Sequence, residues 1–241
     1  MRHIEFQHLH NFRDLGGYRT RDGRPLRWGR LYRSDSLGKL RGSDRDRFQA
    51  LGVRTVIDLR YPWEIEANGR VPDAPGLSYL NLSVEHRPYD QSVIDPGLDP
   101  WRYLADRYAE VALDGAEELR QALETIASDS GPLVFHCASG KDRTGLLAAL
   151  VLGLLDVPEQ DIVADFALTE LATARLVADW RAAHPDRRLS WPGFGRAPAD
   201  IMTLFLSDLS STYGSLHAYA DDHLGLAPEL VPQLRARLLE P

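Results

Sequence analysis

The chain has 241 residues, 44% of them hydrophobic and 26% charged, and its formal net charge is −7. This is the composition of a soluble globular protein, and the negative charge argues against a nucleic-acid partner. No run of about 18 apolar residues predicts a membrane span, and the N-terminus lacks the apolar core of a signal peptide. We therefore expect no stable membrane insertion. The single cysteine, Cys137, cannot form an internal disulfide, which fits a cytoplasmic protein.

The first 85 residues alternate between strand and helix patterns. The predicted elements are a hairpin of Tyr18–Thr20 with Leu26–Trp28, a strand at Leu31–Ser34, a helix at Asp44–Leu51, a strand at Val53–Arg60, a short helix at Pro62–Ala67 and a strand at Leu77–Leu82. The β-branched run in Val53–Arg60 predicts burial on both faces, as in a parallel sheet. Asp58 and Arg60 fall at its carboxyl end, where open α/β sheets bind ligands. A ligand site and a structural ion pair are both compatible with these two residues.

The rest of the chain is mostly helical, apart from one central strand. The stretch Arg87–Pro100 is rich in proline, aspartate and glycine, which predicts a long surface loop. The predicted helices are Trp101–Leu113, Gly115–Ala127, Ile162–Ala178, Ala199–Leu209, Ser215–Leu224 and Glu229–Leu239. Strands thus concentrate in the first 140 residues, which predicts an α/β fold with a central, mostly parallel sheet flanked by helices. We expect one domain over residues 1–241.

The most informative stretch is 133–145, with the sequence Leu-Val-Phe-His-Cys-Ala-Ser-Gly-Lys-Asp-Arg-Thr-Gly. Its first residues predict a buried strand, and the apolar run after it, Leu146–Leu155, predicts a helix. Cys137 therefore lies at the end of a strand, and a short loop leads into a helix N-terminus. That arrangement predicts a site for a phosphate-sized anion with a nucleophile beside it.

The loop supplies what a nucleophilic thiol needs. A thiol reacts as the thiolate, which N–H donors and a nearby guanidinium stabilise. Arg143, six positions after Cys137, can bind two oxygens of a phosphoryl group. The predicted phosphate-binding residues are Ala138, Ser139, Gly140, Lys141, Asp142 and Arg143. Lys141 is one of only two lysines in the chain, which suggests that a compact ammonium group is needed there.

These residues predict a two-step hydrolysis of a phosphomonoester. Cys137 attacks phosphorus to form a phosphocysteine, and water then hydrolyses it, with no metal or other cofactor required. Thr144 can hydrogen-bond the sulfur and help it leave, and His136 can orient the loop. The leaving group also needs a proton donor. Asp142 is the favoured candidate; the alternatives are Asp58 and the loop acids Asp90, Asp95 and Asp99.

The stretch His136–Gly145 resembles the cysteine-based protein tyrosine phosphatase superfamily, and in particular its bacterial atypical tyrosine/dual-specificity members. Asn11–Gly17, Arg33–Asp35 and Val56–Arg60 are also similar to landmarks of that family. The resemblance implies a phosphatase fold and activity on phosphotyrosine, with phosphoserine, phosphothreonine and phosphoinositides as further substrates. It further implies that Asp142 is the acid and that Lys141 contacts phosphate. Family members carry a helical lid, for which residues 156–212, with Ile162–Ala178 and Ala199–Leu209, are the counterpart.

Three other functions remain open from the sequence. A phosphoinositide phosphatase would use Lys141 and nearby arginines such as Arg60 to contact extra phosphates, although the negative net charge disfavours anionic membranes. A catalytically inactive phospho-binding module is disfavoured by the intact Cys137, Asp142 and Arg143. A sulfurtransferase also uses a loop cysteine, but Arg143 and Thr144 favour phosphate.

Overall fold

The computed structural model describes residues 2–90, 94–95 and 97–241, so residues 91–93 and 96 of the predicted loop Arg87–Pro100 lie outside the described residues. The described strands form one sheet in the order β1–β2–β5–β3–β4. Their bounds are Arg13–Asp14 (β1), Leu31–Ser34 (β2), Thr55–Asp58 (β3), Ser78–Asn81 (β4) and Leu133–His136 (β5). Strands β2, β5, β3 and β4 are parallel, and β1 is antiparallel to β2. The predicted fold class is confirmed.

Helices connect and cover these strands. In the described residues they are Ser43–Ala50 (α1), Pro62–Asn68 (α2), Pro100–Asp114 (α3), Ala116–Ser128 (α4), Asp142–Leu154 (α5), Glu159–Ala167 (α6), Glu170–Ala183 (α7), Ala199–Tyr213 (α8), Leu216–Asp222 (α9) and Leu230–Leu238 (α10). None of the helices in this part of the chain has both the length and the apolar character needed to cross a bilayer.

The two faces of the sheet carry different hydrophobic cores. Leu133 and Phe135 of β5 belong to the larger core, which includes α3, α4, α5 and α8. Val134, between them, belongs to a smaller core with Phe12 and with Phe48 of α1. The alternation follows from the two-residue period of a strand. Because β5 is buried on both faces, its sequence is apolar without interruption until His136.

Strand register brings three chain segments to one edge of the sheet. His136 ends β5, and it is in register with Ser34 at the end of β2 and with Asp58 at the end of β3. The residues that follow these positions therefore emerge next to Cys137. This is the carboxyl edge of the parallel sheet, where a ligand site is expected.

The prediction of one continuous helix over Ile162–Ala178 is wrong, because α6 ends at Ala167 and α7 begins at Glu170. The carbonyl of Asp165 accepts a hydrogen bond from the Arg13 guanidinium at 2.9 Å. The N–H of Thr169 donates to Phe166, three residues back, instead of to Asp165. The Asp165 carbonyl is thus shared between this distant arginine and the N–H of Leu168, which donates to it at 3.2 Å in a tighter turn.

The predicted hairpin near residue 20 is present only as a short turn. Leu26 N donates to Tyr18 O at 2.7 Å, and an isolated antiparallel bridge joins Arg19 to Pro25. Proline has no N–H to extend a ladder, so the pairing does not grow into strands.

Candidate active site

The carbonyl groups of the loop between β5 and α5 are bound by residues outside the loop. The backbone N–H of Ser36 donates to Ala138 O at 3.0 Å. The side-chain amide of Asn11 donates to the carbonyls of Ser139 and Gly140, both at 3.0 Å. Three successive carbonyls are thereby fixed from outside, which determines how the intervening peptide groups are oriented.

The N–H groups of the same loop have no such partners. No described residue accepts a hydrogen bond from the backbone N–H of residues 138–142. Helix α5 begins at Asp142, so its first N–H groups also lack acceptors within the helix. A set of N–H groups at a helix N-terminus is suited to a tetrahedral anion. Cys137, at the start of the loop, is only 1% exposed.

Gly140 is the position where this loop tolerates no side chain. Its φ is +68°, and a Cβ there would lie 2.4 Å from Ser34 O. Left-handed backbone costs about 1–2 kcal/mol for a residue with a side chain, and the clash would push the loop off β2. For Gly140→Ala we expect inorganic phosphate to bind at least about tenfold more weakly, a cost of ~1.4 kcal/mol, measured by calorimetry.

The matched control for this substitution is Gly214→Ala. Gly214 has a φ of +85°, but a Cβ there would meet nothing within 4 Å. The control carries the backbone strain without the clash, so phosphate binding should be unchanged. Equal phosphate affinity in Gly140→Ala and wild type would contradict the close approach of the loop to β2.

A fully buried charge cluster supports the loop from behind. Arg33 donates to Gly140 O at 2.8 Å and to Asp165 Oδ2 at 2.6 Å. Arg13 donates to Asp165 Oδ1 at 3.1 Å and to Asn11 Oδ1 at 2.5 Å. Burial would raise the pKa of Asp165, but the two guanidinium groups outweigh it and hold this pKa at about 2. The cluster joins β1, β2 and α6 to the loop.

Arg143 lies in the first turn of α5 and is held by two carboxylates. Its two terminal nitrogens donate to Glu64 of α2 at 2.5 and 3.0 Å, and its Nε lies 3.7 Å from Glu85 Oε2. Burial opposes the charge of Arg143, but the hydrogen bonds to Glu64 and the nearby Cys137 raise its pKa above the ordinary arginine value. Because its pKa is raised, the guanidinium of Arg143 is fixed in its charged form. Burial also raises the pKa of Glu85.

Asp142, the favoured acid, has two neighbours that fix its side chain. The Tyr108 hydroxyl donates to Asp142 Oδ1 at 2.8 Å, and Lys141 Nζ lies 3.2 Å from the same oxygen. Burial, followed by the charge of Asp142, raises the pKa of Tyr108 well above its ordinary value, so this hydroxyl stays protonated and donates. The Asp142 side chain remains 22% exposed, which leaves it open to a leaving group.

Lys141 is buried, with a side chain that is 2% exposed. Its Nζ donates to the carbonyl of Arg196 at 3.1 Å, in the segment between α7 and α8. The ammonium group therefore links the loop to that segment as well as to Asp142.

Thr144 makes no hydrogen bond to the sulfur in this structure. Its hydroxyl is buried and has no hydrogen-bond partner among the described residues. A hydrogen bond from Thr144 to the sulfur of Cys137 therefore requires movement of one of the two side chains.

His136, Asp58 and Arg60 form a buried polar group beneath the loop. His136 Nδ1 lies 3.1 Å from the carbonyl of Cys137, and burial lowers the pKa of His136, so the ring is neutral. Asp58 and Arg60 are paired through two hydrogen bonds of 2.7 and 2.9 Å. Arg60 also donates to Ser36 Oγ and to the carbonyl of Gly69. Of the two alternatives for Asp58 and Arg60, the geometry is that of the structural ion pair.

The alternative acids are engaged in other contacts. Asp58 is fully buried and also accepts a hydrogen bond from Tyr79. Asp99 caps α3 through the N–H of Trp101, and Asp95 accepts from Gly97 N. Asp90 pairs with Arg187. Asp142 is the candidate acid that adjoins Arg143 in the loop.

Sequence reasoning assigned no role to several residues that shape this site, namely Asn11, Arg13, Arg33, Glu64, Tyr108 and Asp165. Asn11, Arg13 and Arg33 lie in segments that resemble family landmarks, although the resemblance gave them no role. Arg33 sits within a strand that is buried at every position, and Asp165 lies beside apolar Phe166 on a buried helix face. A charge at such a position needs a partner, but the sequence does not say which one.

Comparison with known proteins agrees with this geometry. A tyrosine-protein phosphatase of Nostoc commune is 30% identical over 221 residues, which cover 86% of this chain and 73% of that protein. The triple specificity protein phosphatase PtpB of Mycobacterium tuberculosis is 28% identical over 274 residues, covering 95% of this chain and 96% of that protein. The pattern that defines the tyrosine phosphatase family matches residues 4–240. The prediction of a cysteine-dependent phosphatase is confirmed, and the chain belongs to the tyrosine phosphatase family.

Proposed function

We propose that the chain hydrolyses phosphotyrosine in proteins through a phosphocysteine at Cys137. The observation that carries this proposal is the loop whose carbonyls are bound from outside and whose N–H groups are free for an anion. The thiolate attacks phosphorus, the bond from phosphorus to the phenolic oxygen breaks, and Asp142 gives that oxygen its proton. Water then attacks the phosphorus of the phosphocysteine and passes a proton to Asp142. The bond between phosphorus and sulfur breaks, which releases inorganic phosphate and regenerates the Cys137 thiolate.

Arg143 binds the phosphoryl oxygens in this proposal. A guanidinium has five N–H groups, and Glu64 occupies two of them. The remaining N–H groups can donate to two oxygens of the transferring group, whose charge is spread over its oxygens in the transition state. The N–H groups of Ala138, Ser139 and Gly140 complete the cradle, and Lys141 adds a positive charge behind Asp142.

Phosphotyrosine is the first expected substrate. Phosphoserine and phosphothreonine are expected as further substrates, which would make the enzyme dual-specific. PtpB carries "triple specificity" in its name, which supports testing phosphoserine and phosphoinositides beside phosphotyrosine. The experiment is turnover by the full chain of a phosphotyrosine peptide, a phosphoserine peptide and a soluble phosphoinositide. Turnover of the phosphotyrosine peptide at the highest kcat/KM is expected. Tight binding of that peptide with no turnover of any substrate would identify a phospho-binding module instead, and preference for the phosphoinositide would identify a lipid phosphatase.

The acid role of Asp142 predicts how the rate depends on the leaving group. For Asp142→Asn we expect kcat for a phosphotyrosine peptide to fall about 10²–10³-fold, the usual contribution of a positioned acid. An aryl phosphate with a strongly acidic phenol needs little proton donation, so its rate should fall less than about tenfold. Steady-state kinetics with both substrates makes the comparison.

Asp200→Asn is the matched control for the acid. Asp200 is exposed and also lies in the first turn of its helix, so it has the same relation to a helix dipole. Its replacement should leave both rates unchanged. Equal losses with the two substrates in Asp142→Asn would move the acid role to another residue.

We propose one phosphatase domain over residues 1–241, with a lid within residues 156–212, in the cytoplasm. Helices α6 and α8 bury Ile162, Phe166 and Phe205 in the main core, whereas α7 buries only Ala172. Helix α7 is therefore the part of this stretch that is placed to act as a lid, whereas the segment that follows it is anchored in the same core by Trp191 and Ala197.

A further inference from the structure

A cleft opens at the amino edge of the sheet, at the opposite end of the strands from Cys137. It lies between α1, residues 52–54 that lead into β3, and residues 71–77 that lead into β4. Its volume is about 440 Å³, which is in the range of small-molecule sites. A four-residue strand such as β3 is on the order of 10 Å long. The cleft is therefore separated from the loop that follows β5 by the length of the sheet.

The floor of the cleft is apolar. Leu40, Phe48 and Val71 line it and belong to the smaller core on this face of the sheet. Val53 and Leu77 also line it and pack against that core, but they remain partly exposed. Covering such a surface with an apolar ligand removes it from water, which favours binding. The floor is therefore suited to the hydrocarbon part of a ligand.

Two exposed arginines of the cleft are held along their stems. Arg45 Nε donates to the carbonyl of Leu40 at 3.3 Å. The stem of Arg54 packs on Gly131, where a Cβ would lie 2.8 Å from Arg54 Cδ. Neither guanidinium forms an ion pair with a described residue. Their terminal N–H groups are thus placed for a ligand, and little further ordering is needed to bind one.

The charge of these arginines is not balanced within the cleft. Asp73 is the only acid among the described residues that line it, and Asp73 is paired with Arg70 at 2.7 Å. The formal net charge of the chain is −7, so two unpaired cations distinguish the cleft from the chain as a whole. A carboxylate is their complement, because its two oxygens match the N–H groups of a guanidinium.

We propose that this cleft binds a medium-chain fatty acid, with the alkyl chain on the apolar floor and the carboxylate at Arg45 and Arg54. Gln49 is the one uncharged side chain among the described lining residues that has hydrogen-bonding groups. A sugar or a nucleotide base would therefore leave most of its polar groups without partners. The inference does not depend on the proposed function, because the cleft and the loop lie at opposite edges of the sheet.

The test is calorimetry on the full chain with octanoate, decanoate and octylammonium, each below its micelle concentration. Decanoate should bind about 5- to 15-fold more tightly than octanoate, because two further methylenes are buried. Octylammonium, with the opposite charge, should bind at least about tenfold more weakly than octanoate. Saturating inorganic phosphate should change the octanoate affinity by less than about twofold. Loss of octanoate binding in phosphate would place the fatty acid on the catalytic loop and overturn the inference.

Arg45→Gln and Arg54→Gln should each weaken octanoate about 3- to 10-fold, the effect of removing one charged hydrogen-bond donor at an accessible site. The matched control is Arg47→Gln. Arg47 is exposed on the same helix as Arg45, but it lies over the ring of Phe6 and does not line the cleft, so octanoate affinity should be unchanged. Absence of octanoate binding, equal affinity for octylammonium, or an equal loss in Arg47→Gln would overturn the inference.

Discussion

Replacing Cys137 with serine is expected to lower turnover of a phosphotyrosine peptide by about 10⁴-fold or more, a barrier increase of ~5.5 kcal/mol. Serine preserves the size of the side chain, so the loop and the packing around this nearly inaccessible position should persist. The hydroxyl is a far weaker nucleophile than a thiolate at neutral pH. The loss should therefore appear in kcat, and the affinity for phosphate should stay within about threefold of wild type.

Three measurements on Cys137→Ser separate chemistry from folding. Steady-state kinetics gives the rate, calorimetry with inorganic phosphate gives the affinity, and urea unfolding gives the stability. Loss of rate with retained affinity and stability is the expected combination. A variant that turns over at the wild-type rate would rule out the phosphocysteine pathway, because Cys137 is the only thiol in the chain.

The second large effect is on stability, from replacing Asp165 with asparagine. Asp165 is 1% exposed and is the shared partner of Arg13 and Arg33, which are equally buried. Removing one member of a buried ion pair costs about 3–5 kcal/mol, because the remaining charge stays buried without compensation. We expect the free energy of unfolding in urea to fall by roughly that amount.

The lowered pKa of the Asp165 carboxylate also determines how the free energy of unfolding should depend on pH. The pKa of Asp165 is lowered from 3.8 to about 2 in the folded chain. A lowered pKa means that the unfolded chain binds the proton more readily, so the contribution to stability is present above pH 3.8. It is lost as the pH falls from 3.8 to about 2. In Asp165→Asn this part of the acid dependence should be absent.

Asp73→Asn provides the control for the stability measurements. Asp73 is also paired with an arginine, Arg70, but its side chain is 85% exposed. Exposed ion pairs contribute about 0–1 kcal/mol, so the unfolding free energy should barely change. If Asp165→Asn were as stable as Asp73→Asn, the expected contribution of the buried cluster to folding stability would be contradicted.

The elements that sequence patterns predicted well are those whose cause is local. Strand β5 and helix α5 follow from apolar runs on either side of the loop, so both elements could be predicted, although α5 begins at Asp142, four residues before its apolar run. The spacing of Cys137 and Arg143 predicts the loop chemistry for the same reason. The helix break after Ala167 could not be predicted, because its cause is Arg13, which lies 152 residues from Asp165 along the chain.

The support of the loop was beyond sequence reasoning for a similar reason. Asn11 and Arg33 come from two early segments, and they reach the carbonyls of Ser139 and Gly140 only after the sheet has formed. Glu64 lies on α2, 79 residues before the Arg143 that it holds. Single positions such as these carry no periodic pattern. Only the register of β2, β3 and β5 identifies them as neighbours.

The first turn of α2 has a consequence for which of its positions can vary. Successive residues of a helix point about 100° apart, so Glu64 faces inward to Arg143 while Trp63 faces solvent. A substitution at position 63 can alter the exposed surface of this turn without disturbing the arginine. One turn of helix thus carries both a residue that the anion site depends on and a residue that can vary freely, and sequence variation at the outer position leaves the inner contact unchanged.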